Sequence, residues 1–130
     1  IRHMRTIRSQ IGDLSARLDE ESHAEVIATG KRIDSLMMDI EEVLYQTKLK
    51  SNQDMLNYPI RLNNKLAHVG SLASMGLYRP TEQMVGVRDD ITRQIDAQLA
   101  LWYALRDTDV PALNALIRAS NIDLIGVPKD

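Results

Sequence analysis

Three places in this 130-residue chain bring together side chains able to do chemistry. Glu20-x-x-His23 has the spacing by which a helix offers a carboxylate and an imidazole to one metal, the unit from which di-iron bundles are built. Such a centre needs the motif twice, with two further glutamates. Here it occurs once and straddles a predicted turn, so it is read as a solvated turn. Glu41-Glu42 sets two carboxylates side by side, as general acid–base catalysis does. Adjacent helical positions do not face each other, so this pair is read as a water-facing surface. Asn64, Lys65 and His68 lie close together on one helix, with Tyr58 nearby in sequence. They would form a small polar pocket if the fold brought them to a concavity, and otherwise a wet surface.

Other signatures of chemistry are missing from the sequence. It has no His-Glu-x-x-His, no glycine-rich phosphate loop and no Gly-x-Ser-x-Gly elbow. Without cysteine there is no disulfide, no thiolate nucleophile and no Cys-ligated zinc. No catalytic residue, cofactor or metal ligand is therefore assigned. The net charge is −2, and the short basic start at Arg2, Arg5 and Arg8 has no interleaved aromatics, so nucleic acid is not an expected partner. No uninterrupted apolar run approaches the ~20 residues of a membrane span.

The elements are legible in the spacing of apolar residues. Apolar side chains make up 44% of the chain, with no Phe and one Trp. This aliphatic set, with many Glu, Arg and Gln, suits helices. Met4, Ile7, Ile11, Leu14 and Leu18 step by three and four along a first helix, opposite Arg5, Ser9, Asp13 and Arg17. Ser22 and Glu25 have capping-box spacing and place the start of a second helix near His23. There Val26, Ile33, Ile40 and Thr47 repeat every seven residues, as do Leu36 with Val43 and Met37 with Leu44.

A polar stretch from Ser51 to Asp54 reads as a loop, and Pro59 opens a third helix running to about Met75. It buries Leu62, Leu66, Val69 and either Leu72 or Ala73, and Gly76 closes it as a left-handed cap. Arg79 or Thr81 caps a fourth helix with a buried face of Met84, Val87, Ile91, Ile95, Leu99, Trp102 and Leu105. Asp107-Thr108-Asp109 predicts a break, and Pro111 starts a short fifth helix. The tail Ile122, Leu124, Ile125 and Val127 is expected to pack on the bundle. The expected architecture is all-α: one domain over 1–130, an antiparallel up-down four-helix bundle with a short extra C-terminal helix and a packed tail. Seams this regular can also pair between chains, which leaves a homodimer open.

One stretch is more specific than any periodicity. Tyr45-Gln46-Thr47-Lys48, the block Asn57-Tyr58-Pro59-Ile60-Arg61-Leu62-Asn63-Asn64-Lys65-Leu66-Ala67, Arg79-Pro80-Thr81 and Asp96-Ala97-Gln98-Leu99 resemble the helical C-terminal end of a bacterial family. Its members are large secreted proteins with sortilin-like, neuraminidase-repeat (BNR) β-propellers, often labelled glycosyl hydrolases. Asp109-Val110-Pro111-Ala112-Leu113-Asn114 and Gly126-Val127-Pro128 are similar to that family's extreme C-terminus.

The resemblance runs from about Glu41 onward. It implies a domain of a larger parent, with the propellers upstream as partners and a periplasmic or extracellular location. It carries no catalytic residue over. The expected function is a non-catalytic helical interaction module. The rival is a ligand-binding or enzymatic bundle with its site at Tyr58, Asn64, Lys65 and His68. Tyr58, Pro59, Asn63 and Asn64 are expected to shape how the third helix enters the bundle, with the two amides bonding to the preceding loop. In stability terms, Ile40→Asp is expected to unfold the chain and Glu41→Ala to change little.

Overall fold

A computed structural model describes residues 1–45, 61–76 and 81–123. The fold is an all-α helical bundle, and the described residues contain no strand. Helix α1 spans Arg2–Arg17, α2 Ala24–Leu44, α3 Leu62–Met75, α4 Glu82–Ala104 and α5 Val110–Ala119. The chain clusters into two compact units, one made of Ile1–Met38 with the chain from Trp102, the other of Asp39–Leu101.

In the first unit, α1 buries Met4 and Ile11 and half-buries Ile7, Leu14 and Leu18, while Arg5, Ser9, Asp13 and Arg17 face water. The helix stops where Leu18 turns extended. The Asp19 carboxylate then accepts both the Ser22 N–H at 3.0 Å and the Ser22 hydroxyl at 2.8 Å. The His23 carbonyl accepts the first helical bond of α2, from the Ile27 N–H at 3.1 Å. His23 is therefore the N-cap, and the expected Ser22–Glu25 capping box does not form. An ionised carboxylate is the stronger acceptor, and it takes the hydroxyl.

α1 and α2 run antiparallel, since Arg8 bonds Asp34 at 2.7 Å while Ile11 lies against Gly30. A Cβ on Gly30 would stand 3.0 Å from the Ile11 Cγ2, so this glycine permits the close approach. Val26, Ile27, Ile33 and Met37 on α2, with Trp102, Leu105 and Leu113, complete the core of this unit. Each such side chain contributes about 1.5–3 kcal/mol of burial.

In the second unit the interior holds Ile40, Leu44, Leu62 and Ile91. The heptad spacing of α2 is thus observed at Val26, Ile33, Met37, Ile40 and Leu44, but Leu36 and Val43 lie at its exposed edge. Thr47 lies outside the described residues.

α3 begins at Leu62, three residues later than Pro59. Extended Arg61 precedes it, and its carbonyl accepts the Lys65 N–H at 3.0 Å. Leu62 is buried, Leu66, Val69 and Ala73 are half-buried, and Leu72 is exposed, so Ala73 is the inward choice. Gly76 ends the helix in extended conformation (φ −82°, ψ 128°), not as the left-handed cap expected.

Thr81 is the cap of α4: its Oγ1 accepts the Met84 N–H at 3.2 Å and its carbonyl the Val85 N–H at 3.1 Å. Ile91, Trp102 and Leu105 are buried as expected, while Val87 is half exposed to water.

The expected break at Asp107–Asp109 is absent. Leu105–Asp109 forms a π turn, and Ala104 and Val110 on either side keep helical dihedrals, with the Val110 N–H bonded to the Leu105 carbonyl. In an α-helix the Pro111 ring would collide with the carbonyl four residues back, that of Asp107. One surplus residue in the turn opens the backbone there, so the helix absorbs its proline instead of ending.

α5 closes with Asn121 at φ +50°. The Ile122 N–H bonds the Ile117 carbonyl and the Asn121 N–H bonds that of Arg118, which together make a Schellman ending.

Candidate functional site

The polar cluster expected on α3 is described only in part. Tyr58 and Pro59 lie outside the described residues. Asn63, Lys65 and His68 are exposed and Asn64 is half-buried. The loop to which the Asn63 and Asn64 amides are expected to bond lies outside the described residues. Lys65 and His68 lie on the exposed surface of α3.

The metal motif gathers no ligand set either. Glu20 and Glu21 are exposed, His23 is half-buried at the cap of α2, and no cluster of three metal-ligating side chains occurs among the described residues.

Glu41-Glu42 corrects the expectation of a solvated face. Glu42 is half-buried, but Glu41 is only 2% exposed and is engaged by other groups of the protein. Its position between Ile40 and Leu44 on the inward arc of α2 carries it into the core of the second unit.

On the outer side of the π turn, Arg106 binds Asp107 through two hydrogen bonds of 2.6 and 2.8 Å and lies 4.9 Å from the centre of the Tyr103 ring. The hydrogen bond from Arg106 holds the Asp107 carboxyl below its ordinary range, partly offset by desolvation and aided by the neighbouring charge. Both groups are in water, where such pairs contribute little to stability.

Among the described residues a concavity lies between α1 and α5, within the first unit. It encloses about 240 Å³. Ile7, Ile11 and Leu14 line one wall, and Val110, Leu113 and Ile117 the other. Gln10 and Asn114 lie along its length, and Arg17 and Asp123 also border it.

Three local features place these residues. The 3-4 spacing on α1 turns Ile7 and Leu14 to one side. The π turn delivers Val110 as the first residue of α5. The Schellman ending turns the chain so that Ile122, beside Ile117, closes the groove at its far end. Ile122 is half-buried, so the packing of the tail begins as expected; Leu124, Ile125 and Val127 lie outside the described residues. The groove contains no nucleophile–base pair.

The signals for this groove were present as separate features: the α1 seam, the apolar Leu113–Ile117 face, and Asn121 as a residue tolerant of positive φ. What the spacing of one helix does not specify is which neighbour it meets.

No family model, no curated protein and no solved structure matches this chain. The descriptions drawn from the resemblance, namely sortilin-like, BNR-repeat, β-propeller parent, secreted and glycosyl hydrolase, are accordingly withdrawn.

Proposed function

We propose that this chain is a non-catalytic helical interaction module whose α1–α5 groove receives one amphipathic helix of a partner protein. The observation that carries the reading is the groove itself: apolar walls from two helices, with amides and both signs of charge at its edges. From Val110 to Ile117 it extends about 10 Å, at 1.5 Å per residue. That is two turns, the length over which a docking helix presents anchors at i, i+3 or i+4, and i+7. Gln10, Asn114 and Asp123 border the same groove and suit the polar flank of such a helix. The rival ligand-binding reading would place its site on α3, where Asn63, Lys65 and His68 are exposed and Tyr58 lies outside the described residues.

The test is a titration of the isotope-labelled chain with a synthetic amphipathic peptide bearing leucines at i, i+3 and i+7, against a scrambled control. Saturable shifts confined to residues such as Ile7, Leu14, Val110 and Ile117 support the proposal. Shifts elsewhere, or none, refute it. Light scattering of the chain alone separates the remaining case: a dimer closed over this groove would make a second copy the occupant and would also refute it.

A further inference from the structure

The π turn between α4 and α5 joins the groove's second wall to the rest of the helical backbone ladder. Its carbonyls bond five residues ahead, as Leu105 does to Val110. The same pattern would take the Arg106 carbonyl to residue 111, but Pro111 has no N–H to give. The ladder therefore loses a rung where α5 begins.

Leu105 of this turn is buried in the core of the first unit, and the Asp109 carboxylate accepts a hydrogen bond from Arg32 on α2 at 2.6 Å. Asp109 is 24% exposed and Arg32 56%, so solvent and salt reach the pair. Arg8 bonds Asp34 one short step along α2, so the first helix is anchored close to the same place.

We propose that the π turn is a hinge for α5, latched by the Arg32–Asp109 ion pair, and that release of the latch moves α5 relative to α1. The backbone geometry supplies the pivot. The missing donor at Pro111 and the looser π turn lower the cost of local opening there relative to the flanking α-helical turns. The ion pair supplies the tie to α2. With the latch closed, Val110 and Leu113 keep their places opposite Ile7 and Ile11. With it open, the groove widens. The consequence for a docking helix rests on the function proposed above; the hinge itself does not, because it can be measured with no partner present.

The chain has no cysteine, so Asp13→Cys and Ala115→Cys, both at exposed positions, can carry spin labels without background. Distances between the labels, and amide exchange over Arg106–Val110, are measured in the wild-type background, in Asp109→Asn, in Arg32→Ala, and in the charge swap Arg32→Asp with Asp109→Arg. Each single variant is expected to add a longer distance and to speed exchange in the turn about fivefold, while Ile33 and Met37 stay protected. The swap is expected to restore both. High salt on the wild-type chain, which screens an exposed pair, should act like the single variants and needs no substitution that could harm folding. Unchanged distances and exchange in the variants and in salt would overturn the proposal. So would opening that the swap does not reverse, since the effect would then not belong to the ion pair.

Discussion

Glu41 and Glu42 are neighbours on α2, and the turn of the helix between them separates an acid in the core from one at its edge. Replacing Glu41 with Ala removes a buried, engaged carboxylate and leaves its surroundings unpaired. The expected cost is about 1–3 kcal/mol. Glu42→Ala should stay within about 0.5 kcal/mol of wild type. Urea melts of the two variants check this, and equal midpoints would refute the burial of Glu41. Ile40→Asp, which places an unpaired carboxylate in the same interior, should abolish folding, because its cost of several kcal/mol is comparable with the whole stability of a small domain.

Residue type alone hides this distinction. A glutamate in a sequence reads as solvated, and only its angular position between Ile40 and Leu44 points inward. Gly30 was equally silent, since a glycine inside a helix shows no seam. Its role comes from Ile11 on another helix. Gly30→Val should destabilise by more than the loss of helix propensity, because its Cβ would meet that side chain at 3.0 Å.

Helix ends separate what spacing reveals from what competition decides. Thr81 before an acidic first turn was readable as a cap and forms one, so Thr81→Ala should cost about 1 kcal/mol. Ser22 has the same credentials, but Asp19 takes its hydroxyl, and no scan of one helix's own residues weighs that rival acceptor. At the end of α5, Asn121 holds a positive φ. Asn121→Val should destabilise by about 1–2 kcal/mol, and Asn121→Gly should be close to neutral. Thermal denaturation ranks the two, and the reverse order would exclude the left-handed cap. The π turn was the least legible element. Asp-Thr-Asp followed by Pro is the usual signature of a helix end, and the same residues serve a helix that makes room for its proline by taking in one extra residue.

Across the molecule, the apolar periodicity was sufficient to establish an all-α fold and to place five helices, because heptad spacing reports directly on which residues leave water. It could not locate the α1–α5 groove, which depends on the direction in which two chain-distant helices approach. The polar block on α3 drew attention through its composition; Asn63, Lys65 and His68 are exposed and Asn64 is half-buried. Calorimetric titration of one amphipathic peptide against three proteins tests the role of the groove most directly: wild type, Ile117→Lys in the groove wall, and Lys65→Ala with His68→Ala on α3. The groove reading predicts at least tenfold weaker binding to Ile117→Lys, about 1.4 kcal/mol, and unchanged binding to the α3 variant. Undiminished affinity for Ile117→Lys, with loss on the α3 variant, would contradict it.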